Sequence, residues 1–331
     1  MTSHEQSPGE PGLRPRSMAE ATPGPTDVRI GHGSAERVAS HPGFAARLLA
    51  NPIMRIVLGS LLVWLPAPLI TKTAHALIPP PYGHIWPTML AALLVWQAYR
   101  FFVLRIERRP VSELSTPGAL GELGFGLLVG LCMQALLFAV LWAVGVYRIE
   151  GLVAPSAGML SVVPLYIGVA LLEEFVGRGI WFGITRQALG TIWAVVISAL
   201  FFGLIHAPNV GANPIGLLTC TAFGMLFAAA YMATGRLWLC IGIHFAWNFA
   251  QSQVFSSLVS GTKDGVGLVQ GRLIGPEWLT GGSFGSEGSV VALAVALLGF
   301  LCFMALARAR ALTPVGRSPR LVQGSVHSEA N

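Results

Sequence analysis

The chain has 331 residues, 53% of them hydrophobic and only 11% charged, with a formal net charge of +6. An ordinary soluble domain does not keep that balance, which reads as an all-α polytopic transmembrane helix bundle. The positive charge does not point to nucleic acid, because the arginines gather beside apolar spans and in the tails rather than on one amphipathic face.

Residues 1–48 are rich in Pro, Gly, Ser, Glu and Arg without apolar periodicity, and are expected to form a disordered tail. No apolar run near Met1 has the form of a signal-peptide core, so a cleavable signal peptide is not expected. From Pro52 the pattern becomes apolar runs of about 20 residues, enough at 1.5 Å per residue to cross roughly 30 Å of hydrocarbon. About eight such spans are predicted, over residues 53–78, 86–104, 120–146, 152–186, 191–206, 214–234, 237–258 and 290–307. The bundle is therefore expected over residues 49–310, with a second disordered tail over 311–331.

Arg105, Arg108 and Arg109 follow the second span, Arg186 the fourth, Arg236 the sixth, and Arg308 and Arg310 the eighth. The bias of Lys and Arg toward the cytoplasm then predicts cytoplasmic termini, and the loops at 79–84 and 207–213, free of both residues, agree. Residues 259–289 form a long Gly-rich connection that reads as a flexible linker, with a lid or substrate-facing loop as the alternative. Cys132, Cys220, Cys240 and Cys302 fall in apolar runs without paired short spacing and read as packing residues, not as disulfides or a thiolate metal site.

Ionisable residues inside such runs are costly and mark functional sites. The fourth span holds Glu173, Glu174 and Arg178. Glu174 and Arg178 are four apart in the favourable order for an ion pair on one helix face. Glu173 is rotated about 100° away and left without that partner. The fifth span ends Phe202-Gly-Leu-Ile-His206, and the seventh carries His244 and Asn248 one turn apart on a shared face. Helix rise puts these groups at comparable depths: roughly 20 Å from the cytoplasmic boundary for Glu173, 24 Å for His206 and 12–18 Å for His244 and Asn248. Glu122, His75 and His84 lie near span ends and read as interfacial or solvated. Gly177, Gly179, Gly183 and Gly203 surround the group and would let helices approach closely.

Glu-Glu-x-x-x-Arg, then Phe-x-x-x-His, then His-x-x-x-Asn, each on an apolar helix, resembles the CPBP intramembrane proteases, which include the CAAX prenyl endopeptidases and the bacterial Abi proteins. The resemblance covers about residues 150–260 and implies a multi-pass protein of a bacterial plasma membrane. It implies an endopeptidase acting on a membrane-associated or lipidated protein or peptide. Glu173 and His206 would activate water, and His244 and Asn248 would stabilise the oxyanion. Glu174, Arg178 and Phe202 would support them. A metal-independent mechanism is favoured, with no cofactor; the alternative has Glu173, His206 and His244 hold zinc. The rival class is a non-catalytic membrane protein, either a proton-linked transporter or a bacteriocin-immunity or scaffold protein.

Overall fold

The computed structural model describes residues 49–77, 85–262 and 266–312. The expected tail over 1–48, residues 313–331 of the expected tail over 311–331, and the turn at 79–84 with His84 lie outside the described residues. Two helices, α1 (Pro52–Trp64) and α2 (Pro66–Leu77), form the first apolar segment. Asn51 starts α1 by accepting from the amides of Ile53 and Met54, and Pro52 occupies the first turn, where its missing N–H leaves no bond unmade. There follow α3 (Ile85–Phe101), extended by a π turn at Phe102–Ile106, and α4 (Ala119–Ala143). Strand β1 (Tyr147–Leu152) leads to α5 (Val163–Glu174), a π-helical stretch at Phe175–Phe182, and α6 (Gly183–Leu189). Next come α7 (Thr191–Leu204), α8 (Pro214–Thr234), α9 (Trp238–Phe249) with a π extension at Ala250–Val254, strand β2 (Val269–Leu273) and α10 (Val290–Leu312).

All eight predicted apolar segments are helical, but six of them are long and apolar enough to cross a bilayer. The other two, carried by α7 and α9, have 14 and 12 α-helical residues. The expected count of about eight spans is therefore approximate: among the described residues six helices have the length of a full crossing, which needs about 20 residues. Helix α10 continues through Ala311 and Leu312, two residues into the expected tail.

The bundle holds together by close backbone approach, as expected where lipid removes the apolar driving force between helices. On α4, a Cβ at Gly126 would lie 2.5 Å from the Leu239 carbonyl oxygen of α9, and one at Gly130 would lie 2.5 Å from that of Ile243. Gly203 faces α8, where an added Cβ would stand 2.1 Å from Thr221 Oγ1 and 3.0 Å from the Leu217 carbonyl. Large apolar side chains such as Leu128 and Leu301 point outward, as lipid-facing residues do. Cys132 and Cys302 are also exposed, so only Cys220 and Cys240 have the buried positions expected of packing cysteines.

The two ends of the bundle differ in chemistry. At one end the arginine-bearing connections knit together: Arg236 pairs with Glu122, the Leu237 amide donates to the Glu113 carbonyl at 3.0 Å, and Arg310 donates to the Ala233 carbonyl at 2.7 Å. Arg109 donates twice, at 2.8 Å, to the Glu113 carboxylate, which also accepts from the Tyr99 hydroxyl. At the other end β1 pairs antiparallel with β2, joining residues 144–162 to the Gly-rich connection. The linker reading of that connection is corrected: Gly285 and Gly261 take positive φ of 95° and 86°, and Glu287, Ser286 and Ser257 tie it down through part-buried hydrogen bonds.

Two outcomes follow from this packing. Gly203→Leu should lower the thermal stability of the purified protein by about 1–3 kcal/mol through overpacking against Thr221, with Thr221→Ala restoring part of it. A Leu variant as stable as the parent would show that α7 and α8 have room to part. Burial alone would raise the Glu113 carboxyl, but the Arg109 and Tyr99 hydrogen bonds and the Arg109 charge hold it below its ordinary 4.5. The resulting stabilisation is fully present above pH 4.5 and is lost as pH falls through the lower folded value. Glu113→Gln should therefore melt below the parent at pH 7, and the gap should close on acidification below pH 4.5.

Candidate functional site

Glu174 and Arg178, both fully buried, form the expected intrahelical pair: Arg178 Nε lies 3.3 Å from Glu174 Oε2 and Nη1 lies 3.4 Å from Oε1. The guanidinium also donates to the Gly224 carbonyl of α8 at 3.3 Å and packs over the rings of Phe202 and Phe227, 4.5 and 4.7 Å from their centroids. The π-helical stretch begins immediately after Glu174, and such widened turns often sit at functional sites. Gly179 makes it fit, since an added Cβ would stand 2.3 Å from the Tyr99 hydroxyl.

The sequence did not reveal the second partner of Glu174. His244 Nδ1, from α9, lies 2.9 Å from Glu174 Oε1, so one carboxylate holds both Arg178 and His244. The other ring nitrogen of His244 points to Glu173, with Nε2 3.7 Å from Oε2. His206, just beyond the end of α7, directs its own Nε2 to the same oxygen at 3.8 Å. Its Nδ1 is 2.7 Å from the Phe202 carbonyl, which can only accept. That Nδ1 therefore carries the proton, and the Nε2 of a neutral His206 is an acceptor facing Glu173. Glu173 Oε2 is buried and has no hydrogen-bond partner.

These groups open on one cavity of about 220 Å³, lined by Glu173, His206, His244 and Asn248. Every catalytic residue expected from the sequence thus faces a common space. Phe202 touches it too, its ring tilted against that of His206 with centroids 5.1 Å apart. Tyr166, Asn209, Ser260 and Glu287 also line the cavity and were missed. Glu287 accepts from Trp247 Nε1 at 2.7 Å, Ser260 N at 3.0 Å and Ser260 Oγ at 2.6 Å, pinning the Gly-rich connection over α9. The only signal for it was an isolated acid among glycines. Glu122, read as interfacial, lies in the first turn of α4 and pairs with Arg236. The side chains of His75 and His84 lie outside the described residues.

Among the described residues no three His, Cys, Asp or Glu side chains are arranged to hold a metal ion. The zinc alternative would need Glu173, His206 and His244 to draw together, because tetrahedral zinc with bonds of ~2.1 Å keeps its ligand atoms ~3.4 Å apart.

Residues 154–250 match the family model described as Type II CAAX prenyl endopeptidase Rce1-like. The chain is also 29% identical over 181 residues to the "Putative membrane peptidase YdiL" of Bacillus subtilis (strain 168), with 48% of this chain and 71% of that protein covered. The matched segment contains all seven motif residues, Glu173, Glu174, Arg178, Phe202, His206, His244 and Asn248. The resemblance drawn from those motifs is the one these similarities return, and it is to membrane peptidases at the level of family.

Arg178→Met leaves Glu174 buried without its cation, a change that typically costs about 3–5 kcal/mol. The variant should lose most of its folded yield, while Glu174→Gln/Arg178→Met should recover much of it. Melting curves of the two purified variants check this, and equal losses would mean that packing rather than charge matters at Arg178.

Proposed function

We propose that this Rce1-like chain is a membrane-embedded endopeptidase whose reacting groups are Glu173, His206, His244 and Asn248. One observation carries the reading: Glu173 Oε2, buried and unpartnered, sits 3.7 and 3.8 Å from imidazole nitrogens brought by two other helices. The Glu173 carboxylate and the neutral His206 Nε2 are both acceptors, so neither satisfies the other. A water molecule donating one O–H to each would satisfy both, and its oxygen lone pair would be left for a peptide carbonyl.

In the proposed cycle Glu173 takes the proton as the water oxygen attacks, and returns it to the leaving amine. His244 acts as an imidazolium, its Nδ1–H given to the Glu174 carboxylate that answers its charge and its Nε2–H presented to the oxyanion, and Asn248 adds an amide N–H one turn further along α9. Such donors act strongly because they are fixed before reaction and lie out of water. Glu174 and Arg178 do not touch the reacting atoms in this scheme; they set the ring of His244. The setting we assign is the plasma membrane of a bacterium.

A membrane-associated or lipidated peptide is the substrate class that fits the surroundings. A second, apolar cavity of about 240 Å³ lies between α2, α3 and α5, lined by Ala67, Ala91, Val95 and Gly168. It shares Leu165 and Val169 with the polar one, so an apolar tail could lie beside a peptide bond held at Glu173.

Cleavage of a membrane-anchored peptide by detergent-solubilised protein tests the assignment. Glu173→Gln and His206→Ala should each lower kcat by at least ~10²-fold, the range of general base catalysis, and His244→Ala or Asn248→Ala by ~10²–10³-fold. Unchanged cleavage by Glu173→Gln would refute the proposal. Stoichiometric zinc that leaves together with activity on chelation would replace the metal-free scheme with the zinc one.

A further inference from the structure

The arginine-rich end and the mouth of the cavity are opposite ends of the bundle. Arg109 and Arg186 line one surface depression with Glu113 and Gln187, and Arg236 and Arg310 join the same set of connections through Glu122 and Ala233. The polar cavity draws its outer lining from the other end: Asn209 from the α7–α8 connection, Ser260, Thr262 and Glu287 from the Gly-rich connection, and Tyr166 from the first turn of α5. Toward the arginine end it is closed by Arg178 and the rings of Phe202 and Phe227, backed by the fully buried Phe182 packed edge-on to Tyr231 at 5.6 Å.

The mouth end carries little positive charge. Lys72, Arg148 and Arg272 are there, the last paired with Glu150 at 2.9 Å, and the sequence between Thr262 and Val266 adds Lys263 beside Asp264. Acids at that end, Glu150, Glu277 and Glu287, offset the bases. Short connections rich in Arg remain on the cytoplasmic side of a membrane, while acids contribute little to orientation. We infer that the cavity opens to the non-cytoplasmic face, and that its substrate is a peptide segment exposed beyond the membrane or leaving its outer leaflet. The second half rests on the peptidase reading; the first does not. A prenylated cytoplasmic C-terminus would reach the wrong end of this bundle.

Cysteine accessibility in intact bacterial cells tests the orientation without requiring activity. In a Cys132→Ala/Cys302→Ala background, which keeps only the buried Cys220 and Cys240, single reporters are placed at exposed positions. Val210→Cys and Ile149→Cys mark the mouth end; Gln187→Cys and Thr116→Cys mark the arginine end. A membrane-impermeant maleimide should label the first pair equally before and after permeabilisation, and the second pair only after it. The reverse pattern would overturn the orientation. Mapping new peptide termini in cells carrying wild type or Glu173→Gln tests the substrate half. Wild-type-dependent termini should fall in segments outside the cytoplasm, and cytoplasmic ones would overturn that class. Outward labelling with no wild-type-dependent terminus would instead overturn the peptidase reading and leave the orientation standing.

Discussion

A guanidinium enclosed by phenylalanine rings in the interior of a membrane bundle is tolerable only if something answers its charge, and Glu174 does so. The same carboxylate holds Nδ1 of His244, so the element that neutralises Arg178 also fixes an imidazole on a different helix. Through Arg178 and the Gly224 carbonyl the arrangement extends to α8, and through the Phe202 ring it touches α7. Four helical elements are thereby referred to one buried charge pair. Burying ions this way is a poor route to stability, since the desolvation cost consumes most of the attraction. Its return is geometric: the position of His244 Nε2 opposite Glu173 depends on it.

Backbone irregularity serves the same end. The chain leaves regular α-helix immediately after Glu174, and again after α9, just beyond Asn248. Both wide turns flank the cavity, and both follow the residues that face it. Gly203 brings α7, and with it His206, against α8; Gly126 and Gly130 do the same for α9 against α4. Over the top, the Glu287 carboxylate spans from Trp247 to Ser260, so the Gly-rich connection becomes a lining wall.

Composition and apolar run length were enough to reveal a helical membrane bundle, because both follow from the solvent that the chain must satisfy. The count of crossings was less legible: α7 and α9 are as apolar as their neighbours, and only the fold shows how few residues each spends as α-helix. Helix periodicity separated Glu173 from Glu174 correctly, since a 100° rotation is a local property. What stayed hidden was non-local. Nothing in the spacing of Glu174 and Arg178 announces that a histidine 70 residues later shares their carboxylate. Nor does a Gly-rich run disclose that one of its acids, Glu287, will find a partner on α9 in Trp247. The cavity's mouth could be placed only once the three-dimensional ends of the bundle could be compared with the sequence's distribution of arginine.

The central claim is that Glu173 and His206 act on a single water molecule, and a double-mutant cycle addresses it directly. Groups that act as one unit are strongly non-additive, so removing the second costs little once the first is gone. Measured as kcat/KM on one membrane-anchored peptide, Glu173→Gln/His206→Ala should be about as slow as the slower single variant. If instead the two losses multiply, the carboxylate and the imidazole act independently, and the shared-water account is wrong.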